Sequence, residues 1–140
     1  MLTNAKAVLA HYPVTKGALL LMGHGTAHIA NMIYPAMQTA FRILGADNVF
    51  VGTVEGWPEL SDVIHQLKRG GFKKVELAPF MLVAGDHAGN DMAGNTAGSW
   101  KNILKAEGFE VSCHMEGIGQ WQEIGEMYAR KAKEADEGRT

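Results

Sequence analysis

Three side chains of the sequence have the types and positions expected of metal ligands. His24, Glu55 and His87 each follow a run of apolar residues, and His24 is flanked by two glycines. Two imidazoles and one carboxylate form a mixed nitrogen and oxygen set, which suits first-row divalent ions such as Co²⁺, Ni²⁺, Fe²⁺ and Zn²⁺. Three protein ligands leave coordination positions open, as catalytic metal sites do. The pattern therefore favours a site where a bound ion remains reactive.

The elements that must position these side chains alternate in the chain. Short apolar runs are typical of strands buried on both faces, and the segments between them have helical spacing. We expect strands at 17–25, 48–56, 73–83 and 109–117, helices at about 27–44, 58–69, 99–106 and 120–136, and a loop at 84–99. This alternation predicts a three-layer α/β/α fold around a four-stranded parallel sheet. Ligands bind outside the carboxyl ends of such strands, where the first three would deliver the three candidate ligands.

Each candidate ligand also has a simpler interpretation. The glycines beside His24 could serve only a tight turn between strand and helix. Glu55 could be a helix cap or a solvated carboxylate, and His87 could be an ordinary residue of a polar loop. Their joint placement at three strand ends favours one metal site over three unrelated roles.

Four further residues are candidates for contact with a substrate. His28 lies four residues after His24, so a helical turn would put both on one face, although a local hydrogen bond would explain it equally. Gly25 would let a bulky ligand approach the backbone. Asn90 could support a metal-bound imidazole or form the loop. Met92 is either core filler or a residue of the cleft.

Length and composition limit the class of protein. The 140 residues suit one domain, which we divide into an N-terminal helix and linker at 1–16 and an α/β domain at 17–140. The helix near the start has no strand before it, and this suggests another α/β unit upstream. A net charge of −2 argues against nucleic acid as a partner, and no apolar run is long enough for a membrane span. With no secretory signal and one cysteine, Cys113, we expect a cytoplasmic protein without disulfides.

The sequence resembles a known family in three blocks. These are GHGTAH at 23–28, VEGWPE at 54–59, and LAPFMLVAGDHAGNDMAG at 77–94 followed by SWK. Together they resemble the anaerobic sirohydrochlorin cobaltochelatases, class II chelatases of vitamin B12 synthesis. The resemblance covers the chain from about Ala18 to the last predicted helix. It implies a lyase that inserts Co²⁺ into a tetrapyrrole without an organic cofactor, with His24, Glu55 and His87 holding the metal and the histidines as possible bases.

The resemblance also implies more protein than this chain supplies. Members of the family usually have two similar domains with the tetrapyrrole between them, and this chain matches the second, metal-carrying half. We therefore expect either a missing N-terminal half or a homodimer. A surface that could pair two copies would combine apolar residues of the first helix with others from the loops, namely Val8, Leu9, Tyr12, Trp57, Met92 and Trp100. Sirohydrochlorin is a polycarboxylate, so basic residues would be expected near it. Lys and Arg are nevertheless absent from 17–41, 43–67 and 75–100, the ranges that contain the three candidate ligands.

Overall fold

A computed structural model describes residues 2–12, 16–25, 29–80 and 92–114. The helices and strands follow one another in the order predicted from the sequence. They are α1 (Leu2–His11), β1 (Ala18–Gly23), a 3-10 helix (Ile29–Met32), α2 (Ile33–Ile43), β2 (Val49–Thr53), α3 (Leu60–Arg69), β3 (Lys74–Pro79), α4 (Trp100–Ala106) and β4 (Glu110–Cys113). The helix predicted at 120–136 lies outside the described residues.

The four strands form one parallel sheet in the order β2-β1-β3-β4. All six residues of β1 are buried, as expected for a strand with a neighbour on each side and helices on both faces. Pro79 is the last residue of β3, so its missing N–H costs no bond within the strand. The register pairs Met22 with both Gly52 and Pro79, which brings three strand ends to one level.

Helices cover both faces of the sheet and create two apolar layers. On one face α1 and α2 pack against the sheet through a cluster that includes Val8, Met37 and Phe41. On the other face α3 and α4 pack through a cluster that includes Leu67 and Leu104. The predicted three-layer α/β/α architecture is confirmed. None of the described helices has the length and apolar character that crossing a bilayer requires.

Two local predictions differ from the structure at helix starts. Within the described part of the segment expected to be one helix from 27, a 3-10 turn begins at Ile29 and the α-helix begins only at Ile33. Pro58 lies two residues before α3 rather than inside its first turn. Glu59 and Asp62 form a reciprocal capping box at the start of α3, so side chains of the chain itself satisfy the first helical N–H groups.

The apolar surface expected to pair two copies is not present as predicted. Four of its six members are buried in the core, with Val8 1%, Tyr12 5%, Met92 1% and Trp100 5% exposed. The helix α1 covers the sheet of its own chain, because its apolar side chains pack against α2 and β1. Of that group only Trp57 is largely exposed, at 60%.

Candidate metal centre

The ladder between β1 and β2 continues beyond the last strand residues. The N–H of Val54 donates to the carbonyl of Gly23 at 3.0 Å, and the N–H of Glu55 donates to the carbonyl of His24 at 2.8 Å. Because these backbone bonds hold two chain segments side by side, the side chains that follow β1 and β2 share one position at the sheet edge. His24 and Glu55 therefore meet as the strand order predicted.

The His24 and Glu55 side chains are in direct contact. Nε2 of His24 lies 3.1 Å from Oε2 of Glu55, and the two side chains are 60% and 63% exposed. Two ligands bound at roughly 2.0–2.2 Å to one ion, with about 90–110° between them, lie about 2.8–3.6 Å apart. The observed spacing falls within that range, so one divalent ion could contact both atoms after a small shift. Their exposure leaves the other coordination positions open to a substrate.

Gly25 allows the two ligand-bearing segments to approach each other. Its φ of +78° is a left-handed conformation that side chains disfavour. A Cβ at this position would lie 2.6 Å from the backbone nitrogen of Gly56 and 2.6 Å from Cβ of Thr53. Since real contacts of this kind are longer, any side chain at Gly25 would push apart the segments that carry His24 and Glu55.

Thr53 closes the loop that carries Glu55. Its backbone N–H and its hydroxyl both donate to the carbonyl of Pro58, at 2.7 and 3.0 Å, and the hydroxyl accepts from the N–H of Gly56 at 3.1 Å. Thr53 is only 2% exposed, so these bonds form away from water. The loop from Val54 to Pro58 is thus fixed at its base while Glu55 remains exposed.

Tyr34 supports the other ligand-bearing segment from beneath. Its ring occupies the space that a Cβ on Gly23 would need, 2.2 Å away, and its hydroxyl accepts from the N–H of Gly25 at 3.3 Å. Burial raises the pKa of Tyr34 above its ordinary value, while hydrogen bonds with the backbone of Gly25 and His24 act in the opposite direction. The neutral phenol therefore persists under the backbone on either side of His24.

The remaining predicted site residues fall into three groups: some lie outside the described residues, one lies in the site and one lies in the core. His87, His28 and Asn90 lie outside the described residues, so their assignments stay predictions. Gly25 lies in the site. Met92 belongs to the core on the α3 and α4 face and is 1% exposed, so the structure gives it the packing role instead of a place in the cleft.

Within the described ranges, no third His, Cys, Asp or Glu joins His24 and Glu55 in a metal-binding group.

Arg42, the basic residue of α2, lies away from the site. Its guanidinium donates to the carbonyls of Ala46 and Val49, at the opposite end of β2. The positive charge of Arg42 is therefore not beside His24 and Glu55.

Three residues that support the site were not identified from the sequence. Tyr34 and Thr53 have the roles described above, and the Asn31 side chain donates to the carbonyl of Trp57 at 2.5 Å. Tyr34 begins an apolar stripe that continues through Met37 and Phe41, so the sequence indicated burial but not the partner. A threonine at a strand end and an asparagine before a helix are common caps and carry no specific signal.

Comparison with known proteins gives one family. A family model described as cobalt chelatase (CbiK) matches residues 4–137. The sirohydrochlorin cobaltochelatase CbiKC of Nitratidesulfovibrio vulgaris is 36% identical over 122 residues, covering 85% of this chain and 43% of the relative. The sirohydrochlorin cobaltochelatase of Salmonella typhimurium is 38% identical over 120 residues, covering 84% of this chain and 44% of the relative. The chain thus spans less than half the length of these two relatives.

A solved structure with the same fold is shorter than those relatives. It is described as a putative cobalamin biosynthesis CbiX protein from Marinobacter aquaeolei VT8 and superposes with a TM-score of 0.58 at 20% identity. The match covers 87% of this chain and 96% of that one. At this identity the likeness supports the α/β fold alone.

Proposed function

This chain belongs to the cobalt chelatase (CbiK) family, and we propose that it takes part in inserting a divalent metal into a sirohydrochlorin-type tetrapyrrole. The observation that carries the proposal is the contact of 3.1 Å between Nε2 of His24 and Oε2 of Glu55 at the carboxyl edge of the sheet. Co²⁺ is the metal substrate that the names of the relatives favour. Ni²⁺, Fe²⁺ and Zn²⁺ suit the same ligand types. No organic cofactor is needed for the exchange.

The metal would be held weakly enough to leave. His24 and Glu55 supply two ligands, and we propose His87 as the third. Three protein ligands on an exposed edge leave positions where pyrrole nitrogens could replace the protein groups one at a time. A closed set of four ligands would retain the ion, so the exposure of the pair fits a protein that delivers metal.

The exchange must also remove protons. One divalent ion enters the macrocycle as two pyrrole N–H protons leave, so the charge of the macrocycle stays the same and the two released protons need acceptors. An imidazole that has released the metal has a free lone pair and can accept one of these protons. We assign one proton to His24 and the other to His87, while Glu55 offsets the positive charge that forms on His24.

We also propose which parts of the protein surround the tetrapyrrole. The relatives are more than twice as long as the matched region, so a second wall for the tetrapyrrole would come from an N-terminal half or from a second copy of this chain. Of the residues expected to contact the substrate, His28, Gly25 and Asn90 remain candidates. We also propose that the protein works in the cytoplasm, without nucleic acid or membrane as a partner.

A second candidate function follows from the length of the match. Because the chain spans less than half of two relatives, it could hold metal or tetrapyrrole without turnover. The two candidate functions predict different rates of metal insertion. We expect the chain mixed with Co²⁺ and sirohydrochlorin to change the visible spectrum faster than the spontaneous reaction, and the variant His24→Ala to lose most of that acceleration. Binding of both substrates with no acceleration would support the module that only binds.

A further inference from the structure

Trp57 is exposed although the loop that carries it is firmly held. Its side chain is 60% exposed, whereas the neighbouring Pro58 is buried. Its carbonyl accepts from the Asn31 side chain at 2.5 Å, and Thr53 fixes the same loop through three hydrogen bonds. An indole is a large apolar group that folding usually buries. A rigid loop that presents it to solvent therefore suggests a ligand rather than a role in the core.

The position of Trp57 connects it to the metal site. It lies two residues after Glu55, and the loop between them touches Gly25 so closely that a Cβ there would meet the Gly56 nitrogen at 2.6 Å. The Asn31 bond joins the loop to the 3-10 helix that ends in Met32, another apolar side chain that is 63% exposed. Two exposed apolar groups thus lie on joined segments at the edge that carries His24 and Glu55.

We propose that Trp57 is a substrate-contacting residue on which the planar conjugated ring of the tetrapyrrole stacks, with Met32 extending the apolar surface. The proposal rests on the proposed function and adds a residue to it. A flat ring presents apolar π-faces and polar edges, so it can stack on an indole while its carboxylates stay in water. An aromatic platform beside the ligand pair would hold the ring where its central nitrogens can reach the metal. A second copy of the chain is the other possible occupant, and the test below separates the two.

The test compares variants in binding of metal-free sirohydrochlorin by equilibrium dialysis. Because stacking depends on aromatic area, Trp57→Ala should raise the Kd about tenfold and Trp57→Phe about twofold. Titration of Co²⁺ alone should give the same affinity in both variants as in the unchanged chain. Ile43→Ala is the matched control, since Ile43 is 67% exposed but ends α2 at the opposite edge of the sheet. That control should leave the Kd for sirohydrochlorin unchanged.

Turnover gives an independent readout. In the chelation assay Trp57→Ala should raise KM for sirohydrochlorin with a smaller effect on kcat, and the thermal midpoint should not fall, because an exposed side chain contributes little to the core. An unchanged Kd and KM in Trp57→Ala, with normal binding by the unchanged chain, would overturn the stacking role and leave the proposed function standing. Loss of a dimer in Trp57→Ala without a change in Kd would instead identify the indole as part of an interface. If the unchanged chain retains no sirohydrochlorin, both proposals fail.

Discussion

Replacing Gly25 by alanine should disturb both the stability of the fold and the metal site. The backbone at Gly25 has φ +78°, and a residue with a Cβ pays roughly 1–2 kcal/mol for that conformation. The added methyl group would also lie 2.6 Å from the Gly56 nitrogen and the Thr53 Cβ, and such overpacking costs roughly 1–3 kcal/mol. The expected loss in free energy of unfolding is therefore about 2–5 kcal/mol. Denaturation in urea, followed by circular dichroism, measures it.

Gly45 supplies a matched control for this substitution. Its φ is +80°, nearly the same as that of Gly25, but nothing lies within 4 Å of a Cβ built there. Gly45→Ala should therefore show only the backbone cost, and the difference between the two variants isolates the close approach of the loops. Gly25→Ala should also weaken Co²⁺ binding, whereas Gly45→Ala should not. Equal destabilisation by the two variants would refute the argument that Gly25 is needed for the contact between the two segments.

Two other perturbations test the supports of the site, and a third tests an exposed ion pair between α3 and the residue after α4. Burial raises the pKa of Tyr34, so the unfolded chain loses the phenol proton near pH 10.0 while the folded chain keeps it, and stability should fall as the pH rises above that value. Tyr34→Phe should reduce the fall in free energy of unfolding at alkaline pH, as measured by urea denaturation. An unchanged dependence of that free energy on pH would contradict the prediction. Thr53→Val should cost about 1–3 kcal/mol by leaving the Gly56 N–H without its acceptor, whereas Thr53→Ser should recover much of the loss, and equal stability of the two variants would count against the loop bonds. Lys68→Ala should change stability by less than about 1 kcal/mol, because the Lys68–Glu107 pair is exposed, and a larger loss by calorimetry would contradict that view.

The meeting of His24 and Glu55 was predictable because it depends on topology. Apolar runs identified the strands, parallel strands put their carboxyl ends at one edge, and the structure then needed only two further backbone bonds to align the side chains. The fold class followed from the same alternation. The position of Pro79 at a strand end also followed from chemistry, since proline lacks the N–H that a sheet interior uses.

The partner of each apolar side chain depends on packing, which a periodic pattern does not specify. Val8 of α1 and Tyr12, which follows that helix, are both large apolar side chains, and this pattern predicts burial without saying whether the partner is the same chain or another. The structure shows that both side chains pack against their own chain. His114 also follows a strand, β4, but it lies level with Ala78, below the strand ends that carry the ligands, so it does not join them. Its Nε2 is 3.6 Å from Glu76 instead.

The central claim, that His24 and Glu55 hold the metal together with His87, is tested most directly by calorimetric titration with Co²⁺. The unchanged chain should bind one ion, and His24→Ala, Glu55→Gln and His87→Ala should each weaken that binding at least tenfold while the circular dichroism spectrum stays the same. His65→Ala is the control, because His65 is exposed on α3 and contacts Arg69 there. It should bind Co²⁺ as tightly as the unchanged chain. Equal affinity in His24→Ala and His65→Ala would contradict the assignment.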